Sequence, residues 1–313
     1  MDRTGRQNFL RRGFFVLVVL LSGEAYPGEP QEQTSGGVLD CRYEPGGQGR
    51  AGSVAFPNDD VFRPLLADPK QPQFFATWQA ARARTERTSA NIGSVGFGEN
   101  FGFYTRREGC NGWQVGLLAG VFSQFNLDAP SSDLINTDFV VGIPVSWRSG
   151  NWSTRVRVYH QSSHLGDEFL LGRPGFNRVN LSYEEVEAIL SYDYRWARIY
   201  AGGGYLVHRE PASLDRSRVQ WGVELRGPTL QSPILSQELA GLRITPILGA
   251  DFKTMEELKW IVNTNVVGGI EWSREGSTRR FRFLVNYYHG FNPYGQFFAQ
   301  KIETVGAGLY LAF

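Results

Sequence analysis

The stretch "RVYHQSSHLGDE", residues 157–168, places His160 two positions before Ser162. Side chains alternate between faces along an extended strand, so a His-x-Ser spacing presents an imidazole and a hydroxyl on one surface. A histidine can take the proton of a serine hydroxyl for attack on an ester, provided a third side chain orients the ring through its other nitrogen. Two downstream residues compete for that third place, Asn180 and Glu184 in "NRVNLSYEE". The same stretch offers His164, Asp167 and Glu168 as ligand types for a divalent cation such as calcium. The blander readings are a strand end in a headgroup belt and a solvated loop.

The elements that must carry these residues are strands, and their faces can be assigned by charge. Arg155 and Arg157 alternate with Val156 and Val158 ahead of His160. A basic residue at mid-membrane depth on the lipid side of a barrel costs about 2–4 kcal/mol, so the arginines belong inside and His160 and Ser162 outside. In the next strand, "NRVNLSYEEVEAILSY", the same logic turns Glu185 and Glu187 inward and Glu184 outward. One hairpin register then pairs Arg155 with Glu185 inside and His160 with Asn180 outside, at the ~5 Å Cβ separation of directly opposed residues. Glu224, Arg226, Arg280 and Arg282 extend the expected charged interior.

The whole chain fits that picture. Residues 1–25 combine Arg6, Arg11 and Arg12 with a short apolar run from Phe14 to Leu21 and a small-residue end at Ala25, the order of an export signal. Without them 28 basic face 29 acidic residues, which gives no electrostatic footprint for nucleic acid. Aromatic and glycine content is high, with 22 Phe, 13 Tyr, 8 Trp and 37 Gly, and short alternating segments recur. The final "KIETVGAGLYLAF" puts Val305, Ala307, Leu309, Leu311 and Phe313 on one face. Its closing aromatic resembles the terminal signature that the outer-membrane barrel assembly machinery recognises.

Walking back from that end gives twelve strands, near 74–82, 93–106, 112–123, 135–148, 151–164, 177–192, 195–208, 217–227, 239–252, 258–273, 279–290 and 299–313. The expected fold is therefore all-β, a 12-stranded antiparallel transmembrane β-barrel over residues 73–313 with both ends in the periplasm. Trp113, Trp147, Trp152, Trp196 and Trp272 fall at the periplasmic ends of strands, where amphipathic rings suit headgroups. Residues 26–72 read as a short periplasmic N-terminal extension, irregular apart from a packed piece around Phe62 to Leu66. Cys41 and Cys110 are expected to form a disulfide tying that extension to the barrel. No phosphate-binding Gly-rich loop, CxxC pair or HExxH site is present.

Over nearly its full mature length the chain resembles a bacterial outer-membrane family, domain of unknown function 1207, in "FRPLLADPKQPQF", "GVFSQFNLDAPSSDLINTDF", "YHQSSHLGDEF" and "NPYGQFF". Locally, "HQSSH" followed by "NRVNLSYEE" resembles the outward His-x-Ser sites of outer-membrane phospholipase A and of the lipid A 3-O-deacylases. The first resemblance implies an Asn on the next strand as orienting residue, the second a Glu. Carried over, His160 is the base, Ser162 the nucleophile, and Asn180 or Glu184 the third member. In the phospholipase motif Asn-Gly follows the serine, whereas Ser163-His164 follows here. The implied function is a serine lipid hydrolase acting on membrane lipids, with homodimerisation and calcium left open. The competing class is a non-catalytic envelope protein or a narrow channel with a charged lumen.

Overall fold

A computed structural model of the chain describes residues 52–83, 88–231, 241–274 and 277–312. The expected export signal, Cys41 and the terminal Phe313 lie outside the described residues. Alternating sequence becomes alternating burial. In β6 (Trp152–Leu165) Ser153, Arg155, Arg157, Tyr159, Gln161 and Ser163 are buried, while the residues between them are half-buried or exposed. The same period-2 pattern runs through β2 (Phe74–Ala83), β3 (Thr88–Glu108), β4 (Asn111–Asn126), β5 (Asp133–Ser149), β7 (Ser182–Tyr194), β8 (Ala197–Glu210), β9 (Ser217–Arg226), β11 (Leu242–Met255), β12 (Asn263–Arg274), β13 (Arg280–Phe291) and β14 (Lys301–Ala312). These twelve strands pair antiparallel in sequence order, and β14 returns to β2 with Val305 opposite Ala80, closing the barrel. Closure leaves no sheet edge to manage.

Outward positions carry apolar side chains such as Phe97, Phe139, Val141, Ile143, Leu190, Ile199, Phe283 and Leu309. Inward positions carry Gln124, Asp138, Arg157, Glu185, Asn265 and Arg282. The five tryptophans expected at one level do lie at one end, with Trp113 directly opposite Trp147. Short turns connect most strands at that end, the exception being the long connection from β9 to β11, which carries the two-residue β10 (Leu230–Gln231) paired with β11, and the other longer connections gather at the opposite end, the loop end.

Strand limits match the expected ones closely, with three shifts of physical interest. β3 starts earlier, at Thr88, because its first residues pair with the last residues of β2, Ala83 opposite Thr88. β12 starts later, at Asn263, because Glu256–Leu258 forms a 3-10 turn and Lys259 and Trp260 adopt left-handed φ of 56° and 59°. Hydrogen bonds from Ser217 to this turn hold the Glu256 carboxyl below its ordinary pKa. The third shift, in β7, bears on the site.

The N-terminal segment departs from expectation. β1 (Gly52–Ala55) pairs with the turn-end overhang of β3, Val54 opposite Thr105. At Phe56, with φ of 52°, the chain turns, and residues 57–73 run inside the barrel rather than beyond it. Val61, Phe62, Leu65, Leu66 and Ala67 are buried. Their backbone is satisfied by the wall. Val61 N–H donates to Gln114 on β4 at 2.7 Å, Leu66 N–H to Glu224 on β9 at 2.7 Å, and Asn265 on β12 donates to the Ala67 carbonyl at 2.7 Å. Arg63 pairs with Asp193 on β7, Asp68 with Lys253 on β11, and Lys70 with Asp138 on β5. Partners on six strands around the ring define a plug. Phe62 lies between the guanidinium groups of Arg155 and Arg198, 4.9 and 4.6 Å from its ring centre. A Pro- and Gln-rich segment can be taken into the lumen because the polar wall supplies hydrogen-bond and ionic partners to its backbone and charged side chains. Cys110, in the turn between β3 and β4, is disulfide-bonded.

At the loop end the β13–β14 connection folds inward. Gly295 N–H donates to Asp138 at 3.0 Å and Gln296 N–H to Ser163 Oγ at 3.1 Å. A Cβ at Gly295 would meet Ser163 at 2.7 Å, so the approach requires glycine. Phe297 packs on Phe169 and Phe176, which makes this aromatic connection an anchor for the loops.

Between plug and wall, Arg155 and Arg157 share Glu187 at 3.1 and 2.6 Å. Arg218 pairs with Glu185 at 2.8 Å, and Tyr159 donates to the same carboxylate at 2.6 Å. Glu187→Ala leaves two buried guanidinium groups without their carboxylate and is expected to cost about 3–5 kcal/mol. Denaturant unfolding of the refolded barrel measures this loss, and the solvent-facing Glu168→Ala serves as the comparison that should change stability little.

Candidate active site

β6 alternates without a bulge, so the parity set by Arg155 and Arg157 carries through to His160 and Ser162, which face outward. Their neighbours on that surface are apolar. His160 is opposite Val141 and Ser162 opposite Phe139 on β5.

On the other side of β6 the register differs from the expected one. Arg157 is opposite Glu187, Arg155 is opposite Ile189, and His160 is opposite Glu184. Asn180 is exposed, ahead of the first residue of β7, and is not brought to the imidazole. The Arg155–Glu185 pair expected from sequence is likewise replaced by the shared Glu187. The cause lies in the connection. Asp167–Leu171 forms a one-turn helix, α1, and the backbone after it is engaged elsewhere, with Gln296 Nε2 donating to the Val179 carbonyl at 2.7 Å. Residues 177–181 therefore do not extend the strand, and the ladder begins at Ser182.

His160 Nδ1 donates to Glu184 Oε1 at 2.8 Å. Because a carboxylate only accepts, Nδ1 is the donor, and in the neutral imidazole this tautomer leaves the Nε2 lone pair free to act as a general base. Side-chain exposures of 41% for His160 and 36% for Glu184 put both on the outer face. Ser162 Oγ shares that face but forms no hydrogen bond with His160 among the described residues, so proton transfer requires a rotamer change.

The structure adds a further residue to this outward face. His208 on β8 donates through Nδ1 to Glu184 Oε2 at 2.6 Å. Strict alternation from Arg198 and Tyr200, both buried, would turn residue 208 inward. A bulge prevents this: Glu185 pairs with Leu206 while Glu184 pairs with His208, leaving Val207 as the extra residue. Such bulges re-aim side chains. One carboxylate thus sits between two imidazoles in a row across β6, β7 and β8.

The second set does not assemble. His164 lies edge-on to the Phe139 ring, 5.7 Å between centroids, while Asp167 and Glu168 are exposed on α1. Among the described residues no three His, Cys, Asp or Glu side chains converge as metal ligands.

The family described as "Protein of unknown function (DUF1207)" matches residues 51–313. The chain belongs to the DUF1207 family. No curated protein matches it. Among solved structures, this DUF1207 barrel is similar to outer membrane phospholipase A from Escherichia coli, at 12% identity and a TM-score of 0.49 over 80% of this chain and 93% of that one. It is similar to the Salmonella typhi outer membrane phospholipase dimer with bound calcium, at 11% identity and a TM-score of 0.50 over 77% and 91%. LpxR from Salmonella typhimurium gives 9% identity and a TM-score of 0.38 over 76% and 99%. At such identities the likeness is one of fold, that of an outer-membrane barrel.

The two-sided wall makes a labelling prediction. With Cys41 and Cys110 replaced by serine, Ser162→Cys and His208→Cys should react with a maleimide in detergent, while Ser163→Cys, whose native side chain is buried, should not. Deleting Val207 from the His208→Cys protein should bring its labelling down to that of Ser163→Cys.

Proposed function

We propose that this DUF1207 barrel resides in the bacterial outer membrane and hydrolyses an acyl ester of an outer-leaflet phospholipid or lipid A. The observation that carries the reading is the 2.8 Å bond from His160 Nδ1 to Glu184, with Ser162 on the same outward face. An ester presented from the apolar side can approach such a face without leaving the bilayer. The loop end, where the site lies, faces outward from the cell, and insertion depends on the barrel assembly machinery.

In the first half-reaction His160 Nε2 takes the Ser162 proton as Oγ bonds to the acyl carbon. Backbone N–H groups at the rim stabilise the oxyanion. The carbon–oxygen ester bond then breaks, and the imidazolium returns its proton to the departing alcohol. A water, deprotonated by the same imidazole, attacks the acyl-serine, releasing the fatty acid and restoring the hydroxyl. Glu184 orients the ring and balances its positive charge, and His208 steadies Glu184 from the other side.

A non-catalytic envelope role is the second reading, favoured by the lack of a hydrogen bond between Ser162 Oγ and His160 among the described residues. Open conduction is the less favoured form of it, because residues 57–73 occupy the lumen.

Mass spectrometry of defined phospholipids and lipid A incubated with the refolded protein, as monomer and dimer and with and without calcium, tests the proposal. Wild type should remove one acyl chain. Ser162→Ala and His160→Ala should abolish release, and Glu184→Gln should slow it by about 10²-fold or more. Intact lipids in every arm, with folding confirmed, would favour the envelope role.

A further inference from the structure

On the other side of the wall, between the plug and the inward β13–β14 connection, lies a cavity of about 120 Å³. Its floor is Pro69 and Lys70 of the plug, and Tyr159, Tyr183 and Tyr288 form part of its wall. Asp215, exposed, and Glu257, half-buried, line it at the loop end, where it reaches the surface.

The charged groups around this space already have partners. Arg157 is paired with Glu187, Arg218 with Glu185, Lys253 with Asp68 and Lys70 with Asp138. No ionic ligand is needed to balance them. Two neutral groups stand differently. Thr254 Oγ1 and Asn265 Oδ1, on residues 7% exposed, line the cavity and have no hydrogen-bond partner among the described residues, and the Nε of Arg157, whose charge Glu187 balances, likewise lacks one. The Asn265 amide is fixed by its Nδ2 donating to the Ala67 carbonyl, so the oxygen is its unpartnered end. Buried polar atoms seldom remain unsatisfied in native proteins, which points to something that supplies a donor.

Size and lining narrow the choice. An apolar cavity of about 150 Å³ accepts a benzene ring, so this smaller one, open at the loop end, can seat one edge and face of a sugar ring while the rest stays in its mouth. Here the lining combines tyrosine rings with an amide oxygen and a hydroxyl, which suits a ring that has carbon-bound faces and hydroxyls at its edge. We propose that the cavity binds a neutral sugar ring of monosaccharide size, free or at the end of a glycan, entering from the loop end. One hydroxyl donates to Asn265 Oδ1, another exchanges a hydrogen bond with Thr254 Oγ1, and a ring face lies on tyrosine.

The test uses the full mature protein refolded in a detergent without a sugar headgroup. Glucose, galactose and mannose are titrated as probes and followed by saturation-transfer NMR, with glucuronate and cyclohexanol as charged and weakly polar comparators. At least one hexose should bind saturably and more tightly than either comparator. Thr254→Val, which keeps the side-chain shape and removes the hydroxyl, should weaken that binding about 3- to 10-fold. Thr254→Trp, which fills the space, should abolish it, and heat-modifiable mobility checks that both variants fold. No saturable binding of any hexose to folded protein would mean that water fills the cavity, and would overturn the proposal. Tighter binding of cyclohexanol or glucuronate, or a Thr254→Val protein with unchanged hexose affinity, would overturn it as well. A terminal hexose on an oligosaccharide, tested in a final arm, separates the free from the glycan-borne source.

Discussion

The wall of this barrel is organised by where two guanidinium groups go. Arg155 and Arg157 cannot face an apolar phase without large cost, and inside the lumen they need a carboxylate, which Glu187 provides to both. That requirement fixes the parity of β6 and the register of β7 together. A slip of one residue would turn every side chain of the strand to the wrong face. A slip of two would keep the faces but move both pairs: Arg157 would stand opposite Glu185 or Ile189, and His160 opposite Ser182 or Val186. The register that places Glu187 opposite Arg157 is therefore the one that places Glu184 opposite His160. The buried ion pair inside selects the carboxylate presented outside.

This coupling explains which features the sequence makes legible. Faces follow from a period of two and the cost of exposing an arginine to lipid, so the outward setting of His160, Ser162 and Glu184 could be read from the strand alone. The twelve strands are marked by alternation and by turns such as Gly150-Asn151. Register is another matter, because it depends on how many residues the hairpin connection consumes. Here α1 and the bond from Gln296 to Val179 take up residues that would otherwise continue the ladder. Asn180 and Glu184 were both on the page as sequence, and a contact from a segment more than a hundred residues away decides between them.

His208 and the plug were hidden for related reasons. A bulge changes parity at one residue, and nothing in "GGGYLVHRE" announces that Val207 is the extra one. The segment from Pro57 to Gln73 has the proline and glutamine content of an irregular extension, and its four large apolar residues, Val61, Phe62, Leu65 and Leu66, hint only at local packing. Its place inside the barrel depends on partners scattered over six strands, Gln114 and Asn265 among them. Such complementarity has no local period to read.

The filled lumen also bears on the outer face, because β6 is one strand with two surfaces. Ser163 follows Ser162 in the chain and points the other way, where its one hydroxyl proton is shared between Asn136 and Asp138 and its oxygen accepts from Gln296 N–H. Asp138 is held in turn by Lys70 of the plug and by Gly295 N–H. The backbone beneath Ser162 is thus clamped from within by both the plug and the inward connection. A site built on a rigid strand can hold its geometry more closely than one on a free loop. The contacts that fill the lumen also stiffen the part of the wall where His160, Ser162 and Glu184 meet the outside. The plug is in this sense part of the support for the outer site, although none of its atoms reaches that surface.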